Sequence, residues 1–542
     1  MRYRLLVAFS LLVAASTANA QTSASTYLLP PKAIVDILDA PPPPTVELSP
    51  ARDVVALLDR ASMPTIAQLS QPMHRLAGVR INPRTNGPHR AQLSRAITLK
   101  PIADGPDRKV TVPANAMLSW VGFSANGKRF AFTHQRDNGI ELWIGDTATG
   151  QAKAITPAQL NATLGTPCEW VADGGSLLCE FVAPNRGAAP VLGVPTGPNI
   201  QEHRGGTAPV RTYQDLLASA HDEALFDYYA TSQLAFVDAS SGQRTPVGTP
   251  AVFTTAAPSP DGQYILVRSA RRPYSWLVPY QNFAASVEVW DRHGATVKQI
   301  VQTPVADNVP NGGVMPGPRS FQWQPLAPAT VAWSEALDNG DPKAKVPHRD
   351  KVMTLSAPFS ATPSEIARTE YRVGNVSWTD SGAVLLTEND RARRWTRTWV
   401  IDKPGATPRK LWDRSQEDSY GNPGTPQRHD GASGVSTIQQ NANSIFLAGT
   451  GAALHRSSRS HHAQERAPVP DRRPLVRDGD RRAVGRRLEN PDALRDAQRA
   501  AECLCARSQG RHAPGDHQLR RSRAAAEGHS ETARYLQAQR RR

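Results

Sequence analysis

From Leu118 to Leu447 apolar and polar residues alternate in short runs broken by turn residues. "LSWVGFSANGKRFAFTHQRDNGIELWIGDTATGQAKAIT" predicts a strand, a turn at Asn126-Gly127, a second strand, a third in "IELWIGD" and a turn at Thr149-Gly150. "CEWVADGGSLLCEFV" repeats its first half, and "AAPSPDGQYILVRSA" with "SVEVWDRHGATVKQI" repeats all of it. "FQWQPLAPATVAWSEA", "VSWTDSGAVLLTEND" with "RTWVID", and "SIFLAG" continue the series. One such unit cannot bury both its faces, whereas units stacked around an axis can. The recurring x-D/N-G turn followed by V/L-x-V/L-W-D fits a β-propeller; a β-sandwich explains only the alternation.

Two segments leave this pattern. "AAPVLGVPTGPNIQEHRGGTAPVRT" is rich in Pro and Gly and reads as a loop. It leads into "YQDLLASAHDEALFDYY", where Leu216, Leu217, Leu225 and Phe226 suit a short amphipathic helix. Near the N-terminus, "YLLPPKAIVDILDAPPPPTVELSP" joins a helix-like "AIVDILDA" to a stiff proline run and predicts a strap over 21–60. The propeller is expected over 61–451, incomplete, in an all-β fold.

"MRYRLLVAFSLLVAASTANA" carries Arg2 and Arg4 ahead of an apolar run from Leu5 to Ala15, then the small-x-small pattern Ala18-Asn19-Ala20. Residues 1–20 are therefore expected to be an export signal cleaved after Ala20, with a periplasmic or secreted destination. The run is too short for a comfortable membrane span, and nothing later is longer and as apolar. Cys168 and Cys179 bracket two strand-like runs joined at Asp173-Gly174-Gly175, so a tight turn would set them nearly opposite each other. An oxidising compartment permits a disulfide there, and buried free thiols fit the sequence equally well.

Charge changes the picture at the far end. Of the formal net charge of +15, residues 452–542 supply +10, from 21 Arg against 11 Asp and Glu. That stretch contains no Lys, Ile, Phe, Met or Trp. It reads as a solvated, disordered tail. As a nucleic-acid arm it would have only Tyr535 to stack on bases. Cys503, Cys505, His512 and His517 are zinc-ligand types, but the C-x-C spacing in so small a loop is unlike structural zinc sites. The sequence thus calls for no metal, cofactor, nucleic-acid or membrane partner.

"LPPKAIVDILDAPPPP", "LLDRASMPTIAQLSQPMHRLAGVRINPRTNG", "VPTGPNIQE", "RTYQDLLASAHDEALFDYYATSQL" and "RRPYSWLVPYQNFAASVEVWD" resemble the N-terminal half of the exported glutamyl endopeptidase-like group of the prolyl oligopeptidase family. The resemblance runs from about Tyr27 to Gly451. It implies a propeller capping a C-terminal α/β-hydrolase domain, a Ser-His-Asp triad in that domain, and hydrolysis of peptide substrates after acidic residues. A triad needs its serine on a G-x-S-x-G elbow between a strand and a helix. "GASGV" at Gly431 lacks the spacing, and in "GHSET" Ser530 has Glu531-Thr532 in place of x-Gly and no strand before it. No βαβ pattern follows Gly451, so no catalytic residue is assigned. The expectation is a frameshift near codon 451, because GC-rich codons read out of frame yield Arg, Ala, Gly, Pro, Ser and His. A stand-alone periplasmic propeller that binds peptides or protein partners, resembling TolB-type modules with "SPDG" blades, is the rival reading.

Overall fold

A computed structural model describes residues 30–61, 63–193, 197, 212–431 and 435–449, together with the backbone of 466–468. The expected signal segment, "GHSET" with Ser530, the Cys503, Cys505, His512 and His517 set and nearly all of the Arg-rich tail lie outside the described residues, as does most of "GASGV".

The chain divides into a short unit, Met1–Pro42, and a large one, Pro43–Arg542. In the short unit "KAIVDIL" forms the helix Lys32–Leu38, steadied by a Lys32–Asp36 ion pair of 2.6 Å. It buries none of its residues, and Ile34, Ile37 and Leu38 are exposed.

The large unit is a ring of antiparallel four-stranded meanders. Blade I consists of Thr45–Leu48, Val54–Arg60, Ser94–Pro101 and Arg108–Lys109; blade II of Leu118–Phe123, Arg129–Arg136, Gly139–Asp146 and Ala152–Ala154. A single pair, Ser94 with Leu118, links these two sheets. Blades III (168–251), IV (253–303), V (318–369) and VI (372–415) are each a separate four-stranded sheet paired in chain order. Blade VII (425–448) is partial: Ser444–Ala448 pairs with Thr425–Pro426, with Gln440–Asn441 and with Arg466–Pro468.

The strap expected over 21–60 is corrected by this topology. Residues 45–60 are the first two strands of blade I, and Val54–Leu58 are buried. The run "VVALL" is apolar at every position because both faces of the strand are buried: Val54, Ala56 and Leu58 join the cluster shared with blade II, and Val55 and Leu57, which alternate to the other face, are buried as well. The propeller therefore begins at Thr45, just after the proline run.

The core lies between blades rather than within them. One apolar cluster joins blades I and II through Leu58, Leu99, Phe130 and Phe132, and another joins II and III through Leu142, Leu177 and Val237. The same arrangement continues for III with IV, IV with V, V with VI and VI with VII. A Glu-x-Trp device recurs in the third strand of blades II and IV, where Trp143 and Trp290 donate their Nε1–H to Glu141 (3.0 Å) and Glu288 (2.7 Å). The ring is bridged where its ends meet: Arg52 in blade I donates to Gln439 Oε1 in blade VII at 3.2 Å. No described helix is long and apolar enough to cross a membrane.

Cys168 and Cys179 are direct partners in the pairing of the first two strands of blade III, and their sulfurs are bonded at 2.06 Å. Both are buried against blade II.

Candidate functional site

In a meander, connections alternate between the two ends of the strands. The link between strands one and two of each blade, and that between three and four, emerge on one face of the ring. Those between strands two and three, and from blade to blade, emerge on the other. The first face carries tight turns. In "SANG" the Ser124 hydroxyl donates to Asn126 Oδ1 (2.9 Å), and Gly127 takes φ 68°. "SPDG" repeats it, with Ser259 donating to Asp261 (2.5 Å) and Gly262 at φ 68°.

The second face carries long insertions: 61–93 in blade I, 183–231 in blade III and 271–284 in blade IV. They meet in one apolar cluster that includes Leu76, Ile81, Leu225, Phe226, Tyr274 and Phe283. Phe226 is fully buried, edge-on to Tyr274 (5.2 Å between ring centres) and to Phe283 (5.8 Å). Backbone bonds tie the pieces: Gly78 N–H donates to Asp215 O (2.8 Å), and Tyr280 N–H to Ala77 O (2.9 Å). Gly78 sits at φ 86°, and a Cβ there would lie 2.5 Å from Pro279 Cβ, so both the backbone and the close approach require glycine.

The helix of this cap runs Ala220–Ala230 and not from the preceding leucines. Ser219 stops it there, its hydroxyl accepting from Asp222 N–H at 3.1 Å, while Asp222 and Glu223 suit the positive end of the helix dipole. Leu217 lies ahead of the helix and is buried in the same cluster; Leu216 is only half-buried. On the outer side Arg272 spans two turns, bonding Asp227 Oδ2 through Nε (2.9 Å) and Glu223 Oε2 through Nη1 (2.5 Å). Tyr274 and Trp276 donate to the remaining oxygens of the same two carboxylates, at 2.5 and 2.8 Å. Burial first, and then the bond to Asp227, push the Tyr274 phenol far above its ordinary range.

Beneath the cap lies a polar hub. The buried Asn86 side chain donates to Asn161 Oδ1 (2.6 Å), Thr163 Oγ1 (3.0 Å) and Tyr229 O (3.1 Å), and accepts from Arg186. Arg186 also lies 4.1 Å from the Tyr228 ring centre. Glu180, near the end of the second strand of blade III, is pushed up to about 7 by burial, against the opposing bond from Ser232. Neither Asn86 nor the Arg272 network was singled out from the sequence. The available signal was that four of the five family-like strings occupy the same phase of the blade repeat.

No serine hydroxyl among the described residues is hydrogen-bonded to a histidine. His429 pairs with Asp380 (2.7 Å) and His134 with Glu141 (3.3 Å), both within or between blades. No group of three metal-ligating side chains occurs among the described residues. The described geometry packs the insertions into a cap whose buried aromatic, cationic and amide groups satisfy one another, and among the described residues it assembles no nucleophile with its base.

No family model matches the chain. It is 37% identical over 453 residues to a protein of Oryza sativa subsp. japonica named "Probable glutamyl endopeptidase, chloroplastic", a match covering 79% of this chain and 48% of that protein. It is 38% identical over 421 residues to the protein of the same name in Arabidopsis thaliana, covering 74% and 43%. The chain therefore spans about half the length, 48% and 43%, of the curated relatives it matches. Among solved structures, Pyrococcus horikoshii acylaminoacyl peptidase aligns at 12% identity and TM-score 0.37 over 76% of this chain and 50% of that one. The β-propeller domain of the Trilobed protease from Pyrococcus furiosus aligns at 11% and 0.36 over 75% and 89%. The propeller assignment rests on the blade topology above and not on these low TM-scores.

Proposed function

We propose, on the premise that this chain carries the propeller portion of a glutamyl endopeptidase-group member of the prolyl oligopeptidase family, that its insertion-bearing face receives peptide substrates for cleavage after acidic residues. The chemistry would belong to an α/β-hydrolase domain, which the composition of residues 452–542 does not fit. On this reading the chain itself is inactive, and the tail is out-of-frame sequence. The observation that carries the reading is the convergence of three insertions, from blades I, III and IV, into one packed cap on a single face. Connecting segments held on a rigid scaffold are where binding groups are usually placed. The N-terminal segment and the Cys168–Cys179 bond support a periplasmic or secreted location.

The test uses the mature chain with a fluorophosphonate serine probe and a glutamyl peptide substrate. Neither labelling nor cleavage is expected, and a labelled serine would overturn the inactive reading. Sequencing the gene past codon 451 gives an independent check, since another frame should encode a G-x-S-x-G elbow.

A second reading, a stand-alone propeller that binds peptides or protein partners, draws on the bridge between the ends of the ring. With Arg52 bonded to Gln439, blade VII already reaches blade I. The two readings separate on the gene sequence.

A further inference from the structure

The insertion 61–93 is unusual in charge: it contains four Arg and two His and no Asp or Glu. Among the described residues its ion-pair partner is Asp215 of the blade III insertion, which pairs with Arg80 at 2.7 Å and with Arg75 at 3.6 Å, while the charge of Asp222 also reaches His74. Arg84 and Arg90 are exposed, and among the described residues their guanidinium groups have no hydrogen-bond or ion-pair partner. The same insertion exposes large apolar side chains: Met63 is 76% exposed, Ile66 86% and Leu69 42%.

These two sets are held together. Ile66 and Leu69 sit on a short helix, Ile66–Leu69, closed at its start by a capping box between Thr65 and Gln68. Just beyond it, Gln71 accepts from Asn82 Nδ2 through its side chain (3.2 Å) and meets His89 Nε2 through its carbonyl (3.0 Å). That pins the helix against the hairpin turn carrying Arg84 and the residue before Arg90. A fixed apolar ridge beside unspent positive charge is complementary to a chain that offers carboxylates and apolar side chains together.

We propose that residues 63–93 of this insertion form a binding site that holds acidic peptide segments bearing apolar side chains. Arg84 and Arg90, with Arg75 in support, would take the carboxylates, and Met63, Ile66 and Leu69 the apolar groups. The proposal rests on the peptidase reading for its ligand being a substrate segment. Its geometry rests on the blade I insertion and its pairing with Asp215.

The experiment is fluorescence anisotropy of the full chain with three labelled peptides: alternating Glu and Leu, alternating Glu and Ser, and alternating Lys and Leu. The Glu/Leu peptide should bind tightest and the Lys/Leu peptide should not bind. The double substitution R84E/R90E should weaken Glu/Leu binding by about tenfold or more, with a shallower salt dependence. M63S/I66S should weaken it by roughly three- to tenfold and leave the Glu/Ser peptide unaffected. All four side chains are exposed, so thermal melts of the variants should match the parent. Unchanged binding in R84E/R90E would assign the peptide to other cationic sequence, the Arg-rich tail included, and overturn the proposal. So would equal affinity for the Glu/Leu and Glu/Ser peptides, which would mark an indifferent polyanion patch. Either result would leave the peptidase reading untouched, because that is decided by serine labelling and the gene sequence.

Discussion

The two faces of the ring are built from the same meanders and obey different rules. On one face each strand is returned by a few residues, and glycines take the positive φ that the turn imposes: 68° at Gly127, 64° at Gly174, 68° at Gly262 and 85° at Gly382. Little else is free to vary, because a tight return between paired strands admits few backbone conformations. On the other face the connections grow to 33 residues in 61–93 and 49 in 183–231. Lengthening a loop costs little more once it is closed at all, since closure entropy rises only with the logarithm of length. The ring thus tolerates elaboration on one side, and the apolar cap, the Asn86 hub and the arginine-rich insertion all lie there.

That contrast can be broken most directly at the centre of the cap. Phe226→Ala removes a fully buried ring and should cost about 3–5 kcal/mol. If the cap is an addition to the ring, hydrogen exchange will quicken in 74–88, 220–230 and 274–283 while the blade II and VI amides stay protected. Uniform loss of protection through every blade would show that the cap is integral to the ring.

The next largest effect is pH-dependent and lies at the junction of cap and blade. Glu180 is pushed from its ordinary 4.5 up to about 7, so the folded chain holds this proton more tightly than the unfolded one. Its contribution is fully present below about 4.5 and is lost as pH rises through about 7, on the order of 3 kcal/mol at most. Urea midpoints should therefore fall between pH 5 and pH 8, and Glu180→Gln should reduce that slope, the rest coming from Glu169, which burial likewise pushes up to about 7. A rising or flat profile in the parent would contradict the upward shift.

The smallest effects compare the faces glycine by glycine. At Gly127 a Cβ would meet nothing nearer than 3.9 Å, so Gly127→Ala should cost only about 1 kcal/mol, from the backbone conformation. Gly78→Ala adds a 2.5 Å approach to Pro279 and should cost about 2–3 kcal/mol, read as a larger drop in melting temperature. Equal drops would mean that the insertions shift freely and are not packed.

The blades were legible residue by residue. "GIELWIGD" and "ASVEVWD" alternate as strands do, their Asp and Gly punctuation marks the returns, and Gly139–Asp146 and Ala285–Asp291 are where the pattern puts them. The helix was legible in kind, but its start was not read at Ser219. Leu217 continues the apolar pattern, and only the serine cap ends the helix after it. Residues 45–60 were misread as a strap because a proline run precedes them, and their partner strand, Ser94–Pro101, comes only after the insertion of 61–93.

What the sequence determined by itself was local: period-two alternation, turn chemistry, the capping signals and the sharp change of composition near 451. Each depends on residues within a few positions of one another, and short-range sterics and hydrogen bonding decide them. Which distant segments share a surface was decided by the tertiary structure alone. Leu76, Phe226 and Phe283 are separated by 150 and 57 positions, yet they fall into one cluster. They meet because each follows the second strand of its blade, and the ring turns every such connection toward the same face.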